Sequence, residues 1–309
     1  MNEAAAMTGY LSPDYAKSFE EFGEIVVLPE SRIALLKRPI ADDLFDLVGL
    51  YPYTMCPDWT KLQLDRPFLE KSGAVSVVFV VDPFAAPTCL PALEGWPVLR
   101  PMKTHLVVDV GAGWRQRTSA TARRYVRKAR ERQTFERIPA TADNADALWA
   151  MYQTTIRHHA VTGLARLSRD AIARQLDVDG ALLVLAKEGA RILGAILSYR
   201  HGETANAHLF FLSQEARAAH TSYGLIDATL GEFERLGCQK VNLGGVAGAR
   251  DDTSGGLYRF KQNWTRETRT AFLCGAVLQP RTYEILTMGT CDPKSAYFPL
   301  YREPTTSPA

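Results

Sequence analysis

The spacing of apolar residues along this chain follows two periods, and together they predict an α/β (α+β) fold. Short apolar runs rich in β-branched residues predict strands, and Val75–Val81 is the clearest of them. Apolar residues three and four positions apart predict amphipathic helices. The helical segments predicted in this way are Asp42–Leu50, Ser119–Gln133, Asp143–His159, Arg169–Leu176 and Ser222–Leu236.

The predicted strands occur in a definite order relative to these helices. Glu24–Leu28 and Arg32–Lys37 form a predicted hairpin, and Thr104–Val110 is a later strand. In the second half, Ala181–Ala186 and Arg191–Arg200 form a predicted hairpin, and Ala205–Leu212 is the third strand. The helix Ser222–Leu236 follows, and Lys240–Leu243 is the strand after it. This order resembles the core of the GNAT acetyltransferase fold. We therefore expect mixed, mostly antiparallel sheets flanked by helices.

Length and composition narrow the class of protein. A chain of 309 residues exceeds the usual single domain, so we expect two domains, residues 1–135 and 136–309. Its hydrophobic fraction of 46% is ordinary for a globular protein, and its net charge of +2 indicates no particular partner. The chain shows no signal-peptide pattern and no apolar run of bilayer length. We therefore expect a cytoplasmic protein without membrane insertion.

The cysteines predict neither a disulfide framework nor a metal site. Five of them are scattered along the chain without a CxxC spacing. Disulfide frameworks and zinc sites usually show paired or regularly spaced cysteines, so we expect reduced thiols and no bound metal.

The turn before Ser222–Leu236 departs from the pattern of a coenzyme A site. In the GNAT fold this turn carries Gln/Arg-x-x-Gly-x-Gly/Ala, whose backbone N–H groups and helix N-terminus hold the coenzyme A pyrophosphate. Counting from Arg217, the first glycine position is His220 and the second is Ser222. A side chain at the first position crowds the approach of a phosphate to the backbone. The turn argues against acetyl-CoA as donor, although Ser222 and Gly224 leave some space.

The segment around the predicted helix Ser119–Gln133 is the most basic part of the chain. Thr118 or Ser119 is the expected N-cap, and several basic residues beyond it recur at helical spacing. Such a stripe suits the phosphates of a tRNA acceptor stem or a nucleotide-linked acceptor; the alternative is an ordinary solvated helix face. The candidate tRNA- or phosphate-binding residues are Arg115, Arg117, Arg123, Arg124, Arg127, Lys128 and Arg130.

Three motifs follow one another between about residues 100 and 302. They are Ser119-Ala-Thr-Ala-Arg-Arg-Tyr-Val-Arg-Lys-Ala-Arg130, then Ala207-His-Leu, then Leu243-Gly-Gly with Gly256-Leu-Tyr-Arg-Phe-Lys261. In this order and spacing they resemble the signatures of the Fem-type non-ribosomal peptidyltransferases. The chain lacks the long coiled-coil arm of some members, and its first third diverges from the family.

The resemblance implies two GNAT-like domains and transfer of an amino acid from aminoacyl-tRNA to an amine. The acceptor would be a peptidoglycan precursor or, as in natural-product biosynthesis, another small molecule or peptide. An aminoacyl ester is already activated, so no cofactor is expected beyond aminoacyl-tRNA as co-substrate. The resemblance assigns Lys261 to the oxyanion or the departing ribose, with Phe260 positioning it. The alternative is a surface lysine that follows a core aromatic residue.

Further candidate substrate-binding residues lie on one strand and beside the catalytic candidate. Asp109 lies on the predicted strand Thr104–Val110, and Lys103 immediately precedes it. Asp109 has two interpretations, since it either orients the attacking amine or caps the turn at Gly111. The remaining candidates are the neighbours of Lys261: Tyr258, Arg259 and Trp264.

Two other functions compete with aminoacyl transfer. One is an acetyl-CoA- or acyl-CoA-dependent N-acyltransferase on the same fold, which the altered turn at His220 disfavours. The other is a catalytically inactive GNAT-like module that binds RNA or a partner protein. That function requires Lys261 to be dispensable.

Overall fold

The computed structural model describes residues 7–111, 113–159, 161–246, 251, 253–288, 295 and 297–303, and it confirms the predicted α/β class. In the described residues the strands are β1 (Glu24–Val27), β2 (Ala34–Ala41), β3 (Leu44–Gly49), β4 (Ser76–Val81), β5 (Val98–Asp109), β6 (Thr134–Ile138), β7 (Ala181–Glu188), β8 (Arg191–His201), β9 (Thr204–Leu212), β10 (Lys240–Asn242) and β11 (Thr268–Val277). The α-helices are α1 (Pro13–Lys17), α2 (Arg66–Lys71), α3 (Ala86–Leu93), α4 (Trp114–Arg117), α5 (Ala120–Arg130), α6 (Ala145–His159), α7 (Arg169–Leu176), α8 (Thr221–Arg235), α9 (Gly256–Gln262) and α10 (Pro280–Thr287).

The chain forms two compact units, each assembled from two separate stretches of sequence. The first unit takes its residues from Met1–Ser18 and Lys103–Thr270, and the second from Phe19–Met102 and Ala271–Ala309. This division differs from the boundary predicted after residue 135. That residue lies within β6, which pairs with β7 of the same unit.

The sheet of the first unit is mixed and mostly antiparallel. Its strands lie in the order β5-β10-β9-β8-β7-β6, and β9 runs parallel to β10. The parallel pairing stops at Asn206 and Asn242, whereas β9 continues to Leu212. β9 therefore extends past its parallel neighbour before the chain turns into α8.

Helices cover both faces of this sheet, which explains why the middle of β7 is buried throughout. Leu182 and Val184 pack with Leu225 of α8 in one core cluster. Successive residues of a strand point to opposite faces. On the other face, the ring centroids of Tyr152 of α6 and Phe211 of β9 are 5.9 Å apart. The sheet of the first unit is thus a buried layer between helices.

The N-terminal stretch of this unit is held by a buried polar network. The Tyr10 hydroxyl lies 3.0 Å from Nδ1 of His208, and Nε2 of that ring lies 2.9 Å from Oε1 of Gln175. Gln175 in turn donates from Nε2 to the Ser18 hydroxyl at 3.0 Å. Burial lowers the pKa of His208 to about 3. The imidazole is therefore neutral near pH 7 and acts as a hydrogen-bonding group in the core.

The second unit has its own sheet and core. Its strands lie in the order β1-β2-β3-β4-β11, with β3 parallel to β4. The core includes Trp59 stacked on Phe79, with 6.1 Å between ring centroids. Asp46 is fully buried and accepts hydrogen bonds from the guanidinium groups of Arg38 and Arg302, the Nε atoms each lying 3.0 Å away.

One predicted helix is wrong. Asp42–Leu50 was expected to be helical, but β3 occupies Leu44–Gly49 and pairs antiparallel with β2. The apolar residues there fit both periods, and the cross-strand pair of Arg38 with Asp46 satisfies the buried carboxylate in a strand. Asp42 adopts a left-handed conformation, with φ of 44°, in the tight turn that connects β2 to β3.

Several other predicted elements are confirmed. α7 spans Arg169–Leu176 as predicted, and the hairpin of β7 and β8 is present. α5 is shorter than predicted and has Ser119 as its N-cap, because the Ala122 N–H donates to Oγ of Ser119 at 3.0 Å. That hydroxyl also donates to Oδ1 of Asn263 at 2.8 Å, which ties the start of α5 to the end of α9.

We expect Ser119→Ala to lower the free energy of unfolding by about 1–2 kcal/mol, because both the cap and the bond to Asn263 are lost. Urea denaturation of the whole chain measures the change. Ser119→Thr retains a hydroxyl and should lose much less. Equal losses for the two variants would show that the hydroxyl does not stabilise α5.

Candidate active site

The candidate site is centred on the turn that follows β10. Gly244 has φ of +80°, a conformation that favours glycine. Its N–H donates to Oδ1 of Asn242 at 2.8 Å. A Cβ atom at Gly244 would lie 3.2 Å from Nζ of Lys261. The glycine therefore both permits the turn and leaves space for the lysine. Residues 247–250, which follow this turn in the sequence, lie outside the described residues.

Lys261 enters this turn from α9 and is buried, with 8% of its surface exposed. Its Nζ donates a hydrogen bond of 2.6 Å to the Gly245 carbonyl oxygen. Burial, together with the positive charge of Lys103, lowers the pKa of Lys261 to about 7. Lys261 is therefore not a solvated surface lysine. It is a buried amine that gains or loses a proton near neutral pH.

Lys103 reaches the same turn from β5. Its Nζ donates to the Val246 carbonyl oxygen at 2.7 Å, so the two lysines bind consecutive carbonyls. Desolvation lowers the pKa of Lys103, and the negative charge of Asp251 opposes this effect. Asp251 is itself held by Thr104, whose N–H and hydroxyl donate to its Oδ2 at 3.0 and 2.8 Å.

His105 completes the cluster beneath the two lysines. It is buried, and its Nδ1 lies 3.2 Å from Oδ1 of Asn242. Desolvation lowers the pKa of His105 to about 4, and the charge of Lys261 contributes. The ring is thus neutral near pH 7 and holds Asn242, which in turn shapes the glycine turn. The alternation of β5 places Lys103 and His105 on one face, but nothing in the sequence pairs them with Asn242 or Gly245.

Phe260, predicted to position Lys261, and the substrate candidates Tyr258, Arg259 and Trp264 lie on α9 or just after it. Phe260 and Trp264 lie beside Lys261 and pack on Tyr223, with ring centroids 4.9 and 6.2 Å away. Tyr258 is buried on α9, while Arg259 is exposed.

Asp109 lies apart from the lysines. It follows Lys103 by six residues of extended strand, about 20 Å. Its Oδ1 accepts from the Gly111 N–H at 2.9 Å and pairs with Arg117. The geometry thus matches the turn-capping alternative for Asp109.

The basic helix borders a cavity. α5 and its neighbours enclose about 620 Å³ lined by Arg115, Thr118, Arg123, Val126, Arg127, Arg130, Glu131, Asp227 and Trp264. The buried Asp227 carboxylate pairs with Arg130 at 2.8 Å and with Arg115 at 3.4 Å. Among the described residues, Arg124, Arg127 and Lys128 form no ion pair. The structure therefore groups the predicted basic residues on or beside α5, with some charges compensated and others exposed.

The turn between β9 and α8 is closed by its own hydrogen bonds. The N–H groups of Ala219, His220 and Thr221 donate to carbonyls of Glu215, Arg217 and Ala216. His220 occupies the first glycine position and caps α8 in a left-handed conformation, with φ of 55°. The amides that a GNAT protein offers to pyrophosphate are here largely engaged within the turn.

Two wider features of the described residues bear on the site. Across the described ranges, His, Cys, Asp and Glu side chains form no group of three arranged to hold a metal ion. No helix in the described part of the chain combines the length and the apolar character needed to cross a membrane.

Comparison with known proteins supports an acyl-transferring enzyme. The family described as "Acetyltransferase (GNAT) domain" matches residues 116–262, just under half of the chain. The search of curated proteins finds no match.

Solved structures of similar fold cover most of the chain. FemX has a TM-score of 0.60 at 12% identity, covering 88% of this chain and 93% of FemX. L-PGS from Bacillus licheniformis has a TM-score of 0.59 at 15% identity, with coverage of 85% and 91%. The C-terminal domain of a putative lysylphosphatidylglycerol synthetase from Agrobacterium fabrum has 0.57 at 15%, with coverage of 88% and 91%. At such identities the likeness shows a shared GNAT-like fold.

We expect Lys261→Met to stabilise the protein at neutral pH. Because burial lowers the folded-state pKa from 10.5 to about 7, the unfolded chain binds the extra proton between these pH values. Wild-type stability therefore rises with pH across this window, and the cost of burying the charge is greatest below about pH 7. Methionine fills a similar volume without that cost.

Denaturation midpoints at pH 6 to 9.5 measure this effect. The advantage of Lys261→Met over wild type should be largest at the acidic end and shrink as pH rises. The matched control is Lys71→Met on the exposed end of α2, where surface substitutions change stability by about 0.5 kcal/mol or less. A pH-independent difference for Lys261→Met would contradict the lowered pKa.

Proposed function

We propose that this protein is an aminoacyltransferase that moves an amino acid from aminoacyl-tRNA to an amine of a small-molecule or peptide acceptor, forming an amide. The observation that carries the proposal is the buried Lys261 ammonium group, held by the Gly245 carbonyl beside Lys103. Among the described residues Lys261 forms no ion pair. A positive charge of this kind suits an anionic ligand or a developing oxyanion.

The proposed reaction uses the positive charge at the moment when the ester carbonyl becomes an oxyanion. The neutral acceptor amine attacks the ester carbon, a C–N bond forms, and the carbonyl oxygen becomes negative. The C–O bond to the ribose then breaks, the ribose oxygen takes a proton, and the amine nitrogen loses one. Lys261, with a pKa of about 7, can give the proton to the ribose oxygen and regain one from the amine. The phosphates of an RNA carrier would hold the lysine protonated until then.

The turn at His220 supports RNA over coenzyme A as the carrier. Pyrophosphate binding requires free N–H groups at the start of α8, and those of Ala219, His220 and Thr221 donate within the turn. The His220 ring also lies on Tyr125, with 4.2 Å between ring centroids. Coenzyme A would have to displace this packing, whereas an ester carried on RNA does not need the turn.

The basic surface of α5 supports an RNA carrier independently. Arg123 and Arg127 line the cavity of about 620 Å³, and Arg124 and Lys128 are exposed on the same helix. Arginines that meet RNA phosphates release bound counterions, which favours binding at low salt. Aminoacyl-tRNA would then serve as co-substrate without a further cofactor, and such a carrier would place the reaction in the cytoplasm.

The proposal names a single donor, aminoacyl-tRNA, but two classes of acceptor. The resemblance to Fem-type proteins suggests a peptidoglycan precursor or an amine in a natural-product pathway, and both present a primary or secondary amine to an activated ester. Either acceptor is compatible with the proposed chemistry at Lys261.

The proposal predicts transfer of labelled amino acid from a mixed aminoacyl-tRNA pool to acceptors in a cell extract, abolished by ribonuclease. Lys261→Ala should lower the rate by about 100-fold or more, the usual cost of losing an oxyanion stabiliser. Lys71→Ala, on the exposed end of α2, is the matched control and should retain the rate. Transfer that survives ribonuclease would remove tRNA from the proposal. A fully active Lys261→Ala would instead favour a non-catalytic role.

Coenzyme A tests the main alternative, which the GNAT family match favours. A ligand present at 100 times its Kd stabilises the native state by about 2.7 kcal/mol. We therefore expect acetyl-CoA to leave the melting temperature unchanged and short RNA to raise it. A rise of several degrees with acetyl-CoA alone would establish the acyl-CoA-dependent function instead.

A further inference from the structure

A row of aromatic rings runs outward from the residue beside Lys261. Phe260, which precedes the lysine, meets Tyr223 at 4.9 Å between ring centroids, and Tyr223 meets Tyr125 at 4.9 Å. Tyr125 then carries His220 at 4.2 Å, with an angle of 31° between the ring planes. The row passes from α9 across α8 to the side of α5. We call Tyr125, His220 and Tyr223 the aromatic platform.

The platform is half-buried, not enclosed in the core. All three of its residues are partly exposed, whereas the neighbouring α5 residues Ala122 and Ala129 are fully buried. Within the described part of the chain, neither tyrosine hydroxyl of the platform nor the His220 ring makes a hydrogen bond. A packing role alone would not require polar aromatic rings at this surface, since leucine buries similar area without a polar edge.

Two positive charges flank the platform. The guanidinium of Arg124 lies over the Tyr125 ring, 4.7 Å from its centroid. Burial lowers the pKa of His220, and the positive charges of Lys128 and Arg124 on the neighbouring helix α5 lower it further. His220 is thus neutral near pH 7 and presents a flat face. Stacking rings with flanking cations form the usual arrangement for single-stranded nucleic acid.

From this arrangement we propose that the aromatic platform, with Arg124 and Lys128, binds the single-stranded 3′ end of the RNA carrier by stacking its bases. This inference rests on the proposed function, because it assumes that the acyl donor is RNA. A base on the platform lies at the outer end of a row of rings whose inner end is Phe260, the residue before Lys261 on α9. The platform therefore guides the ester at the RNA terminus towards the buried amine, while the phosphates meet Arg124 and Lys128.

The test is the affinity for a short fluorescent single-stranded RNA ending in CCA, measured by anisotropy at fixed salt. Tyr125→Leu keeps an apolar side chain between the helices but removes the ring, and it should weaken binding about tenfold. Tyr125→Phe keeps the ring and should retain the affinity. Phe68→Ala, which removes a ring that is 40% exposed on the second unit, is the matched control and should bind as wild type.

A second measurement tests the role of the positive charge of Arg124 beside the platform. Arg124→Gln should reduce the slope of log affinity against log salt by about 0.7, the value for one phosphate contact on a single strand. Circular dichroism and melting temperature show that each variant is folded. If folded Tyr125→Leu binds the RNA as tightly as wild type, the platform is a packing cluster and the inference is overturned.

Parallel transfer assays separate this inference from the proposed function. Ribonuclease-sensitive transfer together with unchanged RNA affinity in Tyr125→Leu would overturn the platform alone. Wild-type protein that neither binds the RNA nor uses aminoacyl-tRNA would overturn both. If Tyr125→Leu loses binding of coenzyme A but not of RNA, the stacked ligand is the coenzyme A adenine, and the RNA platform is likewise overturned.

Discussion

The hydrogen bond from the Lys261 ammonium to the Gly245 carbonyl oxygen is the interaction on which the candidate site depends. It places a charge where little water can solvate it. Such a charge is costly in the folded state unless polar groups surround it. The turn after β10 provides them: Asn242 fixes the backbone of Gly244, and Lys103 engages the next carbonyl.

This arrangement sets function against stability. A chain selected for stability alone would fill the space above Gly244 with apolar atoms and would not place two ammonium groups near one another. The lowered pKa of Lys261 follows from this burial and from the nearby charge of Lys103, because both disfavour the protonated amine. Sites that stabilise developing charge commonly pay for it in folding free energy. The buried lysine fits the proposed chemistry, whereas packing alone would favour an apolar side chain at this position.

The sequence predicted what is periodic or local, and it missed what is brought together by the fold. α7 and the β7–β8 hairpin follow directly from apolar spacing and a glycine turn. The segment of β3 is predicted as a helix because its apolar residues fit the spacing of a helix and of a strand equally well. A resemblance identifies Lys261 as a candidate, but its contact with Gly245 joins residues 16 positions apart. The pairing of His105 with Asn242 joins residues 137 positions apart, and no local pattern encodes it.

Each unit combines two stretches of the chain that lie far apart in the sequence. This arrangement affects the order in which its parts are synthesised. Residues 7–18 are synthesised well before their partners in the first unit, such as His208 for Tyr10. The second unit likewise starts early but requires β11, which follows almost all of the first unit. Neither sheet can be completed before its late strand, β10 in the first unit and β11 in the second, has been synthesised. During synthesis β4 therefore lacks its antiparallel partner β11 until residue 277 has been added.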